Sequence, residues 1–144
     1  MIDIKDYIES IGKQARETSV EIGRVSTSKK NQALENISES LDLSRTEIFE
    51  ANKEDMSESS RKGLDAALLD RLELTQRRFD EMLLGLRQVA ALADPIGEIN
   101  DLKYQPSGIQ VGRMRVPLGV VAIVYESRPN VTVEAASLCI KAGN

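Results

Sequence analysis

Five consecutive residues carry most of the chemistry that this sequence offers: Glu126-Ser127-Arg128-Pro129-Asn130. They separate a continuously apolar, β-branched run, "GVVAIVY", from a helical pattern ending in "CIKAGN". Arg128 presents a planar cation suited to a carboxylate or phosphate. Asn130 has an amide N–H₂ that can donate to a developing oxyanion. Asn and Pro are also ordinary turn and cap residues, so a cap at Asn130 and a solvated Glu126–Arg128 ion pair are the plainer readings.

The single cysteine, Cys139, is the obvious nucleophile by residue type. Its position argues otherwise. Ala135, Cys139 and Ala142 recur at helical spacing on one apolar face, which predicts a structural cysteine that packs rather than reacts. The chain contains no histidine, so no Cys-His or Ser-His pair and no histidine metal site can form within it. One cysteine builds no zinc site, and no metal is expected. Lys141 reads as a solvated cation at the helix end.

These residues need elements to position them. "GVVAIVY" predicts a strand at Val120–Val124 covered on both faces. A helix is predicted over Thr132–Ala142, with Gly143 at its C-terminal cap. A loop at the carboxyl end of a buried strand, followed by a helix N-terminus with free N–H groups, is where open α/β sheets bind ligands. "GVVAIV" matches neither the GxGxxG nor the P-loop phosphate motif. A strand, turn and helix with no second parallel strand is half of a βαβ unit, which suggests part of a larger protein.

Upstream, the periodicity is helical. Ile4, Ile8, Ile11 and Ala15 form one face of a first helix. Ser26, Thr27 and Ser28 offer caps for a second, with Leu34, Ile37 and Leu41 inward. "SRTE" at Ser44–Glu47 has capping-box spacing and should start a third helix through Ile48, Phe49 and Ala51. "EDMSESSRKG" reads as a polar loop or frayed end closed by Gly63. "LDAALLDRLEL" predicts a short helix. Thr75 caps a longer one with a stripe of Phe79, Met82, Leu83, Leu86, Val89 and Ala90, ending at Asp94-Pro95. "GIQVGRMRV" alternates as a strand.

The bulk composition bounds the function. The 144 residues are 41% hydrophobic, 29% charged and only 3% aromatic, which predicts a soluble globular chain with an aliphatic core. Residues 1–100 carry 14 Lys+Arg against 20 Asp+Glu, whereas residues 101–144 carry 5 against 3. The C-terminal third is thus the part suited to an anionic ligand. No basic cluster with aromatic interleaving is present, so no nucleic acid partner is expected. No apolar run approaches the roughly 20 residues of a membrane helix, so no membrane is expected. With no signal peptide and one cysteine, a cytoplasmic location is expected.

"RVPLGVVAIVYESRPNVTVEAASLCIKAGN" resembles the central signature of the γ-glutamyl phosphate reductases (glutamate-5-semialdehyde dehydrogenases), a branch of the aldehyde dehydrogenase superfamily. "ANKEDM" and "KGLDAALLDRLELTQRRFDEMLLGLRQVAALADPIGEI" follow the same family order. The resemblance is strong over residues 30–144 and looser in the first helix. It implies an α/β fold: N-terminal helices, then the start of a Rossmann-like parallel sheet, with this chain as the N-terminal portion. Residues 1–95 would be helical, 96–117 a β-hairpin region of the kind used in oligomerisation, and 118–144 the first strand, loop and helix of the nucleotide-binding sheet.

The implied activity is an NADPH-dependent reduction of L-glutamate 5-phosphate to L-glutamate 5-semialdehyde and phosphate in proline biosynthesis. In that family a cysteine thiolate forms a thioester, and hydride from NADPH releases the aldehyde. The resemblance places Tyr125, Glu126, Ser127, Arg128 and Pro129 in the cofactor loop and gives Asn130 an oxyanion or positioning role. Here "RPN" replaces the superfamily's "PWN", two residues further from Gly119. The family's nucleophile lies downstream, and nothing in this chain matches it. The chain alone is therefore expected to be inactive and, with an unpaired apolar strand, aggregation-prone; the full-length protein is expected to be a homo-oligomer. The competing reading is a stand-alone helical interaction or assembly module without catalysis.

Overall fold

The computed structural model describes residues 3–126 and 128–144. Six helices and one hairpin make up the described chain: α1 (Ile4–Ile22), α2 (Thr27–Leu43), α3 (Arg45–Arg61), α4 (Ala66–Leu72), α5 (Gln76–Ala91), β1 (Ile99–Tyr104), β2 (Gln110–Met114) and α6 (Asn130–Lys141). The chain is mainly helical with a small sheet, in keeping with the α/β class.

Local chemistry sets most helix starts. The side chains of Ser26, Asp65 and Thr75 each accept a backbone N–H three residues on, from Lys29, Leu68 and Arg78. Each thereby satisfies a donor that the helix leaves unpaired. Ser44 stands at the predicted start of α3 but makes no cap bond. It also closes α2, and its φ of −89° and ψ of 8° are not the extended geometry that a capping side chain needs.

The predicted loop at Glu54–Arg61 is instead helical, and α3 runs on to Arg61. Lys62 pairs with Glu58 at 2.7 Å, one turn earlier. Gly63, at φ +80°, then ends the helix as expected, with its N–H bonded to Ser60 O and that of Leu64 to Ser59 O. Asn52, buried on α3, braces the next linker: its amide donates to Leu72 O at 2.9 Å and its carbonyl accepts from Leu74 N at 2.8 Å.

The core lies where α2, α5 and α6 meet. Leu34, Phe79, Met82, Leu83, Leu86 and Ala90 are buried, and Ile37, Leu41, Val89, Val133 and Ile140 pack against them. The stripe predicted on α5 is the side facing this core. Each fully buried Leu or Phe contributes about 2–3 kcal/mol of transfer free energy. Phe49 lies against Phe79 with ring centroids 5.4 Å apart, and the Arg45 guanidinium sits 4.5 Å from the Phe79 centroid.

The expected inward face of α1 is exposed: Ile4, Ile8 and Ile11 are 79%, 59% and 45% accessible. No described element covers them, so helical spacing alone did not identify a buried surface.

β1 and β2 pair antiparallel, with Ile99 opposite Met114 and Tyr104 opposite Gln110. The register slips between Asn100 and Lys103, where Asp101 adopts φ +55°. Both faces of this ribbon are exposed. The strand expected at Val120–Val124 does not form: these residues join no ladder, and Val120, Val121, Ile123 and Val124 are exposed. A parallel strand draws its hydrogen bonds from neighbouring strands, and no described strand pairs with this segment.

Candidate functional site

The turn at the N-terminus of α6 is the place to build from. Arg128 N–H bonds to Glu126 O at 2.9 Å, and Val131 N–H to Arg128 O at 3.2 Å, so the backbone reverses tightly into the helix. Pro129 is already in helical geometry, with φ −59° and ψ −37°, so α6 begins at Asn130, two residues before its predicted start. No side chain among the described residues caps this end. Apart from that of Val131, the first N–H groups of this twelve-residue helix thus have no partner among the described residues, at the positive end of its dipole.

Between this turn and α4–α5 lies a cleft of about 260 Å³. Arg128 and Asn130 line one side, with Arg71, Arg78, Glu73 and Glu81 across from them. Arg78 is committed: it pairs with Asp70 at 3.1 Å and donates to Glu73 O at 2.8 Å. Arg71 and Arg128 are in no ion pair among the described residues. The cleft combines three arginines and a helix N-terminus, a donor set that can orient an anion, with three carboxylates, Asp70, Glu73 and Glu81, of which Asp70 is paired with Arg78.

The structure places the sequence-predicted residues as follows. Arg128, Pro129 and Asn130 meet at the cleft. Asn130 does not cap the helix; its amide donates to Glu134 Oε1 at 2.6 Å, along the helix. Glu126 is exposed and bonds only through its backbone carbonyl among the described residues. Tyr125 reaches over the turn, its hydroxyl hydrogen-bonded to Thr132 Oγ1. Ser127 lies outside the described residues. No cluster of metal-ligating side chains occurs among the described residues, and none of their helices is long and apolar enough to cross a membrane.

Cys139 is not part of this site. It lies nine residues along α6 from Asn130, about 13 Å at 1.5 Å per residue. It is half-buried beside a cavity of about 220 Å³ shared with Ala15, Ser19, Ile22, Gly119 and Val120. The predicted Ala135–Cys139–Ala142 face is half-buried, and the face turned to the α2–α5 core is rotated from it. The core-facing residues are Val133, Ser137, Ile140 and Lys141. That rotation also corrects the expectation for Lys141, which is buried at 3% accessibility rather than solvated. Its ammonium donates to Asn31 Oδ1 at 2.6 Å and to Ala90 O at 2.9 Å, serving an open carbonyl at the C-terminal end of α5.

Sequence reading missed a second buried cation, Lys30, which bonds Asp94 Oδ2 at 2.9 Å. Burial pushes the Asp94 carboxyl up, but bonds from Ile96 N–H, Lys30 and Thr27 outweigh it and hold the group below its ordinary value. The available signal was spacing: Lys30 lies four residues before Leu34, on the inward side of α2.

No protein-family model matches the sequence. Among solved structures, the chain is similar to γ-glutamyl phosphate reductase from Thermotoga maritima, at TM-score 0.86 and 42% identity over 92% of this chain. It is also similar to γ-glutamyl phosphate reductase from Saccharomyces cerevisiae, at TM-score 0.90 and 33% identity over 94% of this chain. It covers 32% and 34% of those two chains, so it spans about a third of the length of the reductases it matches. At these identities and TM-scores, the family that the chain resembles, in sequence and in backbone alike, is the γ-glutamyl phosphate reductases.

Proposed function

We propose that the chain is a portion of an NADPH-dependent reductase that converts L-glutamate 5-phosphate to L-glutamate 5-semialdehyde and phosphate. The observation that carries this reading is 42% identity to such a reductase over 92% of the chain. Residues 3–95 act as a helical scaffold, 96–117 as an oligomerisation ribbon, and 118–144 as part of the nucleotide-binding unit. The protein is a cytoplasmic homo-oligomer in this reading.

The donor set at the turn fits an anionic dinucleotide. The uncapped start of α6 offers backbone N–H groups, and Arg128 adds a cation beside them. Tyr125, Glu126, Ser127, Arg128 and Pro129 form the cofactor loop. Asn130, at the cleft, positions the reacting acyl group; swinging its amide from Glu134 frees a donor for the oxyanion. NADPH, when bound, supplies the hydride. The nucleophile comes from polypeptide outside these residues, because Cys139 is remote from the turn.

The test is NADPH oxidation by the purified 144-residue chain in the presence of glutamate kinase, ATP and glutamate. No turnover is expected from wild type or from Cys139→Ser. Robust turnover that Cys139→Ser abolishes would overturn the assignment of the nucleophile.

A further inference from the structure

We infer that Asn144 is a positioning residue for the cofactor turn, an inference that rests on the cofactor reading above. Asn144 lies just past the end of α6. Gly143, at φ +70°, closes the helix with its N–H on Ile140 O at 3.1 Å, and Asn144 N–H bonds Cys139 O at 2.9 Å. This paired closure fixes the backbone of Asn144 just beyond the helix. Its side-chain carbonyl Oδ1 then accepts from Gly119 N–H at 3.0 Å, across 25 residues of sequence.

Gly119 begins the apolar run that leads into the turn. It adopts φ +103°, a conformation that side-chain-bearing residues rarely take. Gly119 itself borders open space, but Pro117, two residues before it, is closely packed. A Cβ added at Gly143 would lie 3.3 Å from Pro117 Cγ, and one at Gly23 would lie 3.4 Å from the same atom. The end of α1, the turn before the apolar run and the end of α6 therefore meet at one junction.

The segment from Gly119 to Asn130 is thus referred to α6 at both ends. One end is covalent, where Asn130 begins the helix. The other is the Asn144 side chain. Between them, Val120–Val124 has no ladder bonds among the described residues to hold it. Two side-chain hydrogen bonds therefore register the loop against the helix whose N-terminus forms the site, that of Tyr125 with Thr132 near the turn and that of Asn144 with Gly119 N–H, which alone fixes its start. The role needs an acceptor at this position, which Asp supplies and Ala does not.

The test compares Asn144→Ala with Asn144→Asp. Asn144→Ala should speed amide hydrogen exchange at Gly119 and weaken NADPH binding by about fivefold each, the equivalent of one net hydrogen bond. It should also move the amide resonances of Arg128–Val131. Asn144→Asp should restore all three. Unchanged Gly119 exchange and unchanged Arg128–Val131 resonances in Asn144→Ala would overturn the inference, as would failure of Asn144→Asp to restore them. If Asn144→Ala does not fold, the wild-type chain decides: scalar coupling across the hydrogen bond between Gly119 N and the Asn144 side-chain carbonyl supports it, and its absence overturns it. If wild type binds no NADPH, the cofactor reading fails, while exchange and resonances still decide whether Asn144 sets the loop.

Discussion

Lys30 and Asp94, 64 residues apart, form a buried ion pair at 2.9 Å, with only 2% and 11% of their side chains accessible. The pair ties the first turn of α2 to the segment that follows α5. Thr27 donates to the same carboxylate oxygen at 2.9 Å, and Ile96 N–H to the other at 3.0 Å. Removing the cation alone leaves a buried carboxylate without its charge partner. Lys30→Met should therefore destabilise the fold by about 3 kcal/mol, read as a shift in urea midpoint.

The same carboxylate predicts a pH dependence. Asp94 titrates below its ordinary value in the folded chain. Its contribution to stability is therefore complete above the unfolded value of about 3.9 and is lost as pH falls through the lower folded value. Urea midpoints from pH 7 to pH 2.5 should drop more steeply in wild type than in Asp94→Asn. Parallel profiles would show that the carboxylate is not held as described.

Lys141 should behave as an interior residue. Lys141→Ala strips the donor from Asn31 Oδ1 and Ala90 O and is expected to cost about 2 kcal/mol. A change within about 0.5 kcal/mol, the ordinary range for exposed positions, would place it back in solvent.

Ser38 predicts the opposite sign. Its hydroxyl is buried, at 4% residue accessibility, and is the one buried side-chain polar atom without a partner among the described residues. Ser38→Ala removes an unsatisfied group, so it should leave stability unchanged or raise it by about 1 kcal/mol in the same urea assay.

What sequence could and could not supply follows from these residues. The α5 stripe is readable because apolar side chains at helical spacing report burial directly. Lys30 and Lys141 are not, because residue type says "surface" while their helix faces say "core"; only the partners, 64 and 110 residues away, resolve the conflict. The polar end of α3 carries no apolar stripe to announce it, so its Ser- and Glu-rich composition reads as loop. The converse error is α1: Ile4, Ile8 and Ile11 have the right period but no covering element. Val120–Val124 has strand composition, yet composition cannot supply a neighbouring strand. At the candidate site the turn residues are local and legible, whereas the helix starts at Asn130, two residues before its predicted start, because Pro129 already has helical geometry. The cleft opposite them depends on how α4–α5 packs, which the sequence does not show.

Arg128 at the start of α6 is the central functional claim, and an NADPH titration of the chain followed by amide chemical shifts tests it most directly. Saturable shifts concentrated at Glu126–Val133 are expected, with Arg128→Ala weakening binding by about tenfold, the worth of one charge-assisted hydrogen bond. Shifts centred on Cys139, or a binding constant that Arg128→Ala leaves unchanged, would contradict it.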